Sequence, residues 1–391
     1  MHRLPAAFLF VSIAVVGHAA VLEVGPGQPH ATPCAAIAAA SHGDTIRIDA
    51  AGNYDGNVCA WSKNGLHLVG VNGRARIDAA GQHAQGKAIW VIAGHDTVIE
   101  NIELSGATVP DGNGAGIRQE GRNLTVRNAR FHHNQNGILT SAASGSTITI
   151  EFSEFAYNGA GDGYTHNLYI GHIDRLVFRH NWSHHAVVGH LLKSRARENL
   201  ILYNRLSGEA GGTASYEINL PNGGLTFVIG NLIQQPSTSQ NGAMLDYLSE
   251  GNPHPDLRLF VVNNTFVNLR ASGTFLKIDG AVGAPAIVRN NIFFGPGTLS
   301  TQPGALLENN LAGADPMFVD AAQHDYRLLP GSPAIDAGIA PGSGAGWPLA
   351  PVSAYRHPQA ASPRVVHGTI DIGAHEFGEV PLFVDGFDPL L

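Results

Sequence analysis

The sequence predicts an all-β chain coiled into a single-stranded right-handed parallel β-helix, with a cap helix at its N-terminal end and an irregular C-terminal cover. Three observations predict it. A short apolar run ending in asparagine recurs, as in Val98-Ile-Glu-Asn101, Leu124-Thr-Val-Arg-Asn128, Leu200-Ile-Leu-Tyr-Asn204 and Phe227-Val-Ile-Gly-Asn231. Asparagines 101 and 128, 204 and 231, and 264 and 291 are each 27 residues apart, a period too short for a propeller blade, and no helical segment separates the runs. The 391 residues include 48 glycines with no collagen period, which indicates many tight turns between short strands.

Composition narrows the function. With 44% hydrophobic and 14% charged residues the chain can bury a large core. A net charge of −8 and the lack of an extended basic cluster argue against nucleic acid as a partner. Lysine occurs only at positions 63, 87, 193 and 277.

Taken in order, residues 1–20 have a basic start (Arg3), an apolar run from Leu4 to Val16 and a small-residue end, the pattern of a secretory signal peptide. The run is too short for a membrane span of roughly 20 residues, so no span and a secreted or periplasmic location are expected. Cys34 and Cys59 then meet an oxidising compartment and are expected to pair, two buried thiols being the alternative. Residues 33–40 are alanine-rich and flanked by turn signals, and read as a short cap helix before residues 44–49 open the first coil. The β-helix is expected over residues 21–330. Stacking each coil on the last buries a continuous apolar column and satisfies the backbone ladder. The recurring asparagine suits a turn, because it tolerates the left-handed conformation and can bond to amides above and below. Residues 147–152 form a coil without it. From residue 331 to 391 the pattern dissolves into Pro, Gly and Ala, read as a cover over the far end, followed after Phe377 by an acidic-aromatic tail.

These features, with Asp315-Pro-Met-Phe-Val-Asp320, Gly331-Ser-Pro-Ala-Ile-Asp336 and Asp371-Ile-Gly-Ala374, resemble exported bacterial β-helix-repeat proteins of the pectate-lyase-like group. The resemblance implies an acidic polysaccharide or oligosaccharide as partner and a monomer, while that scaffold carries lyases, hydrolases, esterases and non-catalytic proteins.

Counted from the coil asparagines, Lys193 comes 12 after Asn181, Glu217 13 after Asn204, Asp246 15 after Asn231 and Lys277 13 after Asn264. Their neighbours are mostly apolar, so alternation predicts these four facing outward in one stripe. His166, Tyr169, His190 and Asn219 fall on the same face. Residues 184–199 add Arg195 and Arg197 beside Lys193. Abstraction of a uronate C5 proton needs a base and a cation that neutralises the carboxylate. A lysine among arginines loses its proton more readily, and arginine clamps a carboxylate bidentately. Lys193-Ser194, Glu198-Asn199 and Gly212-Thr213 resemble the chondroitinase B and alginate lyase family, which implies Lys193 as the base. The family's next-coil arginine aligns with Glu217, so Arg195 or Arg197 is expected to supply the cation.

Two other functions compete. Glu217 and Asp246 on adjacent coils could be the acid and base of a glycoside hydrolase, and the chain could bind glycan without cleaving it. Calcium is a candidate cofactor, with Asp162, Glu198 and Glu209 as acidic turn residues. The histidines at 166, 172, 180, 184, 185 and 190 match no zinc spacing, and Gly112–Gly116 lacks the lysine of a phosphate loop.

Overall fold

The computed structural model describes residues 19–378; apart from Ala19 and Ala20, the predicted signal peptide lies outside them, as does the tail from residue 379. The chain winds into a right-handed parallel solenoid of about 10 turns. A full coil holds three short strands, one in each of three parallel sheets of 12, 10 and 10 strands. We call these I, II and III in the order the chain visits them. One coil runs through Thr97–Glu100 in sheet I, Ile102–Ser105 in sheet II and Ala115–Gln119 in sheet III.

Because coils stack in register, alternation along a strand becomes a column across coils. Ile99, Val126, Ile150, Phe178, Ile201, Val228, Val261 and Val288 are successive partners in sheet I, and all are fully buried. Burying such branched and aromatic side chains contributes about 1.5–3 kcal/mol each. One residue further on the column faces out and alternates in charge: Glu100, Arg127, Glu151 and Arg179 are consecutive partners joined by ion pairs. Sheet II repeats this with Arg76, Glu103, Arg130 and Glu154.

At the corner between sheets I and II the structure divides the predicted role of asparagine between two adjacent columns. The left-handed conformation belongs to an outer column that includes Asn101, Asn128, Phe152, His180, Tyr203 and Asn263, with φ from 47° to 57°. The amide ladder belongs to an inner, buried column of Asn181, Asn204, Asn231, Asn264 and Asn291, closed by Asn310. Each Nδ2 donates to the next Oδ1 at 2.9–3.1 Å, and that oxygen also accepts the preceding backbone N–H. The coil that lacks the asparagine has Ser153 there, whose N–H reaches Asn181 Oδ1 at 2.9 Å. A second ladder, Asn134, Asn158 and Asn167, lines the corner between sheets II and III.

The N-terminal end is closed as expected by an α-helix, Pro33–Ala39, started by Thr32 and a proline in the first turn. Lys63 Nζ caps its far end, donating to the carbonyls of Ile37 and Ala38 at 2.6 and 2.7 Å. A Cys34–Cys59 disulfide ties this helix to the first strand of sheet III. Sheet I starts earlier than residue 44, because Val21–Val24 pairs in parallel with Thr45–Asp49.

The C-terminal segment does not cap the far end as its composition suggested. It folds back along the outside. Phe318, Tyr326, Tyr355 and Ile372 pack on Leu232, Val267 and Ile292 of sheet II, and Leu349 packs on Tyr203, Phe227 and Phe260 at sheet I and its corner. Leu306 and Leu307 in the last coil stay 47% and 45% exposed. The physical reason is that outward residues of the later coils in sheets I and II are themselves apolar, so they offer more area than the narrow end.

Where the cover crosses sheet II, Glu209 binds Arg205 bidentately at 2.8 and 2.9 Å and His324 at 3.0 Å. Burial alone would raise its pKa, but the hydrogen bond from His324 and the charge of Arg205 hold it down to about 2. A folded-state pKa below the unfolded value of about 4.3 contributes stability above that value and loses it as pH falls towards 2. Glu209→Gln is therefore expected to lower the melting temperature at pH 7, and the difference from wild type should close between about pH 4.5 and 2 in a melting series.

Candidate functional site

The cover leaves sheet III to face outward, and its outward column supplies the site. Tyr169, Lys193, Asn219, Asp246 and Lys277 are successive register partners, so the stripe predicted around Lys193, Asp246 and Lys277 exists as one face. Coils are spaced about 4.8 Å apart, which places Lys193 and Lys277 about 14 Å from each other.

Lys193 opens Ser194's short strand, and its side chain is only 12% exposed. Its ammonium lies 5.3 Å from the centre of the Tyr169 ring and 3.4 Å from Glu250 Oε1. Two residues on, Arg195 points the same way: Nε donates to Tyr169 OH at 2.8 Å, NH1 to Asn222 Oδ1 at 2.6 Å, and NH2 to Glu250. Below them, Asp246 is buried and accepts from Asn219 Nδ2 at 2.8 Å, Lys277 Nζ at 2.7 Å and Ser249 Oγ. The bond to Asp246 holds the Lys277 ammonium above its ordinary pKa.

Beside this face lies a stack of rings in which His166 and His190, expected to face outward, are buried at 1% and 7% exposure, while Tyr169 and Tyr216 stay part-exposed. His166 and His190 lie parallel at 4.3 Å, with Tyr216 next at 5.0 Å and Tyr169 edge-on to His166 at 5.6 Å. His166 Nδ1 accepts the N–H of His190 at 3.0 Å, and His190 Nδ1 accepts that of Tyr216 at 3.4 Å. Both rings are therefore neutral with the proton on Nε2. Burial, followed by the charges of Lys193 and Arg195, pushes His166 down to about 3; burial and the neighbouring His166 push His190 well below its usual value.

Two other residues predicted for this face are elsewhere. Glu217 is fully buried inside the cylinder, where Gln235 Nε2 donates to its Oε2 at 3.2 Å. Asn219, two positions on, occupies the stripe instead. Tyr216 and Asn219 face out while Glu217 and Ile218 between them are buried, because the chain turns a corner here and simple alternation does not hold across it. Burial pushes the Glu217 carboxyl well above the usual carboxylate range. Arg197 lies past the next corner and pairs with Asp174 at 3.3 Å. With Glu217 removed from the face, its pairing with Asp246 as hydrolase acid and base has no geometric support.

A raised folded-state pKa contributes stability that is complete below the unfolded value of about 4.3 and is lost as pH rises through the folded value. Glu217→Gln keeps the shape and the Gln235 contact without an ionisable proton. It is expected to raise the melting temperature at pH 8 by a few degrees relative to wild type, and to have no such effect at pH 4.

The acidic turn residues considered for calcium are not gathered. Asp162 Oδ1 accepts the N–H groups of Tyr164 and Thr165 at 2.8 and 3.1 Å, Glu198 pairs with Arg175 at 2.7 Å, and Glu209 is held beneath the cover. Among the described residues, no group of three or more His, Cys, Asp or Glu is placed to hold a metal ion. Calcium takes about 6–8 oxygen ligands, and the acids on the outer face, Asp246 and Glu250, are each already bound by lysine or arginine. The residues present do not fit that ion. Glu250, Asn222, Ser249 and Tyr216 complete the face and were not anticipated; Glu250 arrives from a loop two coils later, outside any repeat phase.

No family model and no curated protein matches this chain. Among solved structures, it resembles pectin methylesterase PemA from Erwinia chrysanthemi slightly, at 13% identity over 60% of this chain and 82% of that one, with a TM-score of 0.40. It resembles pectate lyase Pel9A throughout, with 16% identity, 93% of this chain and 98% of that one covered, and a TM-score of 0.65. At that identity the likeness is one of fold: this chain has the β-helix architecture of a pectate lyase.

Proposed function

We propose that this chain is an exported polysaccharide-active protein that cleaves a uronic-acid-containing polysaccharide by β-elimination on the outer face of sheet III. The observation that carries this reading is that Lys193 and Arg195, two cations two residues apart in one coil, converge on a single carboxylate, that of Glu250. A base and a carboxylate-binding cation side by side are what elimination requires. Arg195 binds the sugar carboxylate and stabilises the charge that develops on it. Lys193, acting as the free amine after giving its own proton to solvent, removes the C5 proton, the electron pair forms the C4–C5 double bond, and the C4–O bond breaks. The leaving oxygen takes a proton from a protic group on the same face, for which the Tyr169 hydroxyl and the Nε2–H of His190 are the candidates. Of the ring stack, the part-exposed Tyr216 offers flat apolar surface for the sugars, with the buried His166 and His190 packed beneath it. The Cys34–Cys59 disulfide and the leader-like residues 1–20 support export.

Screening pectate, alginate, chondroitin and bacterial exopolysaccharides for an ultraviolet-absorbing unsaturated product tests the reading. Reducing ends without that absorbance would indicate hydrolysis instead, and binding with neither would indicate a glycan-binding protein.

A further inference from the structure

The cations of the sheet III face are not free. Lys277 is neutralised by Asp246, which is buried on a strand. Lys193 and Arg195 are neutralised differently, by Glu250, which is 46% exposed and belongs to a loop rather than a strand. That loop leaves sheet III after Tyr247 and returns over the preceding coil, where Glu250 N–H donates to Pro221 O at 2.7 Å and Asn222 Nδ2 donates to the carbonyls of Glu250 and Gly251 at 3.3 and 3.0 Å. Further along, His254 Nε2 meets Arg195 O at 3.1 Å. The loop thus climbs two coils, about 10 Å, and delivers one carboxylate to the two cations. Glycine at 251 takes φ +91°, a conformation open to glycine without strain, where the strap turns beside Glu250.

Burial works against the charge of Glu250, but the hydrogen bond from Arg195 and the charge of Lys193 hold its pKa below the usual range. It is therefore an anion seated where an anion binds. We propose that Glu250 occupies, in the free protein, the seat of a sugar carboxylate, and that an anionic sugar binds between Lys193 and Arg195 by displacing it. This rests on the uronate reading above and adds to it an internal competitor that weakens binding and makes it selective for ligands bearing a carboxylate. A neutral or esterified sugar gains too little from the two cations to expel Glu250, whereas a carboxylate replaces the lost ion pairs one for one.

The experiment is calorimetric titration of the full chain with pentamers of galacturonate and of guluronate, and with the fully methyl-esterified galacturonate pentamer. Glu250→Gln is expected to tighten binding of at least one acidic pentamer at least tenfold and to change binding of the ester less than twofold. Adding Arg195→Ala to Glu250→Gln should abolish the gain. A role of Glu250 only in ordering the loop would instead weaken binding of both acidic pentamers. Equal or weaker binding of both acidic pentamers by Glu250→Gln, or a gain of the same size for the ester, overturns the proposal. Unsaturated product from the wild type is scored separately, so loss of the elimination reading and loss of this one are told apart.

Discussion

Lys193→Arg should leave the protein folded and able to bind a uronan, yet lower the rate of cleavage by about a hundredfold or more. The side chain is mostly enclosed by Tyr169, Arg195 and Glu250, and its charge is part of that local arrangement. Arginine preserves the charge and most of the volume. It does not give up its proton in a protein, so it can bind a carboxylate but cannot accept the C5 hydrogen. The substitution therefore separates binding from chemistry. Lys193→Ala removes both and should be no more active than Lys193→Arg, with a higher KM. Arg195→Ala is expected to cost about 10²–10³ in kcat by removing the cation that faces the developing negative charge. A Lys193→Arg variant retaining a tenth of the wild-type rate would remove Lys193 as the base.

Asn231→Leu should cost about 4 kcal/mol of stability, the largest structural effect of any single change considered. Asn231 Nδ2 donates to Ile201 O at 2.8 Å and to Asn264 Oδ1 at 2.9 Å, while its oxygen accepts the Asn204 N–H at 2.8 Å and the Asn204 amide at 2.9 Å. Leucine has a similar shape but makes none of these bonds. The Asn204 N–H loses its acceptor, at about 1–3 kcal/mol for an orphaned buried group. Asn204 Nδ2, Asn264 Oδ1 and Ile201 O each lose one bond, the first two keeping Phe178 O and the residue 231 N–H. The neighbouring outer column should behave oppositely. Asn128→Gly is expected to change stability by less than about 1 kcal/mol, because the position is exposed, its φ of 47° suits glycine, and Gly230 already fills the same column. Urea midpoints of the two variants check the contrast; equal losses would contradict the division of labour between the columns.

That division explains why the coil was legible and its details were not. The doubled asparagines 263–264, 290–291 and 309–310 carry both roles, outer left-handed residue and inner amide, in adjacent positions, so a search for asparagine finds the corner but merges the columns. Lys193, Asp246 and Lys277 were placed on one face because each lies within or next to a regular strand pair. Glu217 was misplaced because a pattern of alternate residues presumes an extended chain, and the backbone turns there. Arg197 was misplaced for the same reason one corner later. Glu250 and Asn222 could not be found by counting along coils, since loops of unequal length bring them to the face. The cover's route depended on the apolar outer residues Phe227, Phe260, Val267 and Ile292, which a reading that assigns every outward position to solvent treats as core.

A solenoid whose coils touch only their neighbours melts by fraying, one repeat after another, because nothing informs an early coil that a late one has opened. Here Gln359 Nε2 reaches Glu154 at 3.0 Å and Gln359 Oε1 accepts from Arg74 at 3.4 Å, across 205 and 285 residues of sequence. The returning segment is a lengthwise splint that spans coils otherwise strangers to one another. Its presence is expected to make the coils it spans unfold together, and a chain ending near residue 314 is expected to lose that cooperativity before it loses its coils.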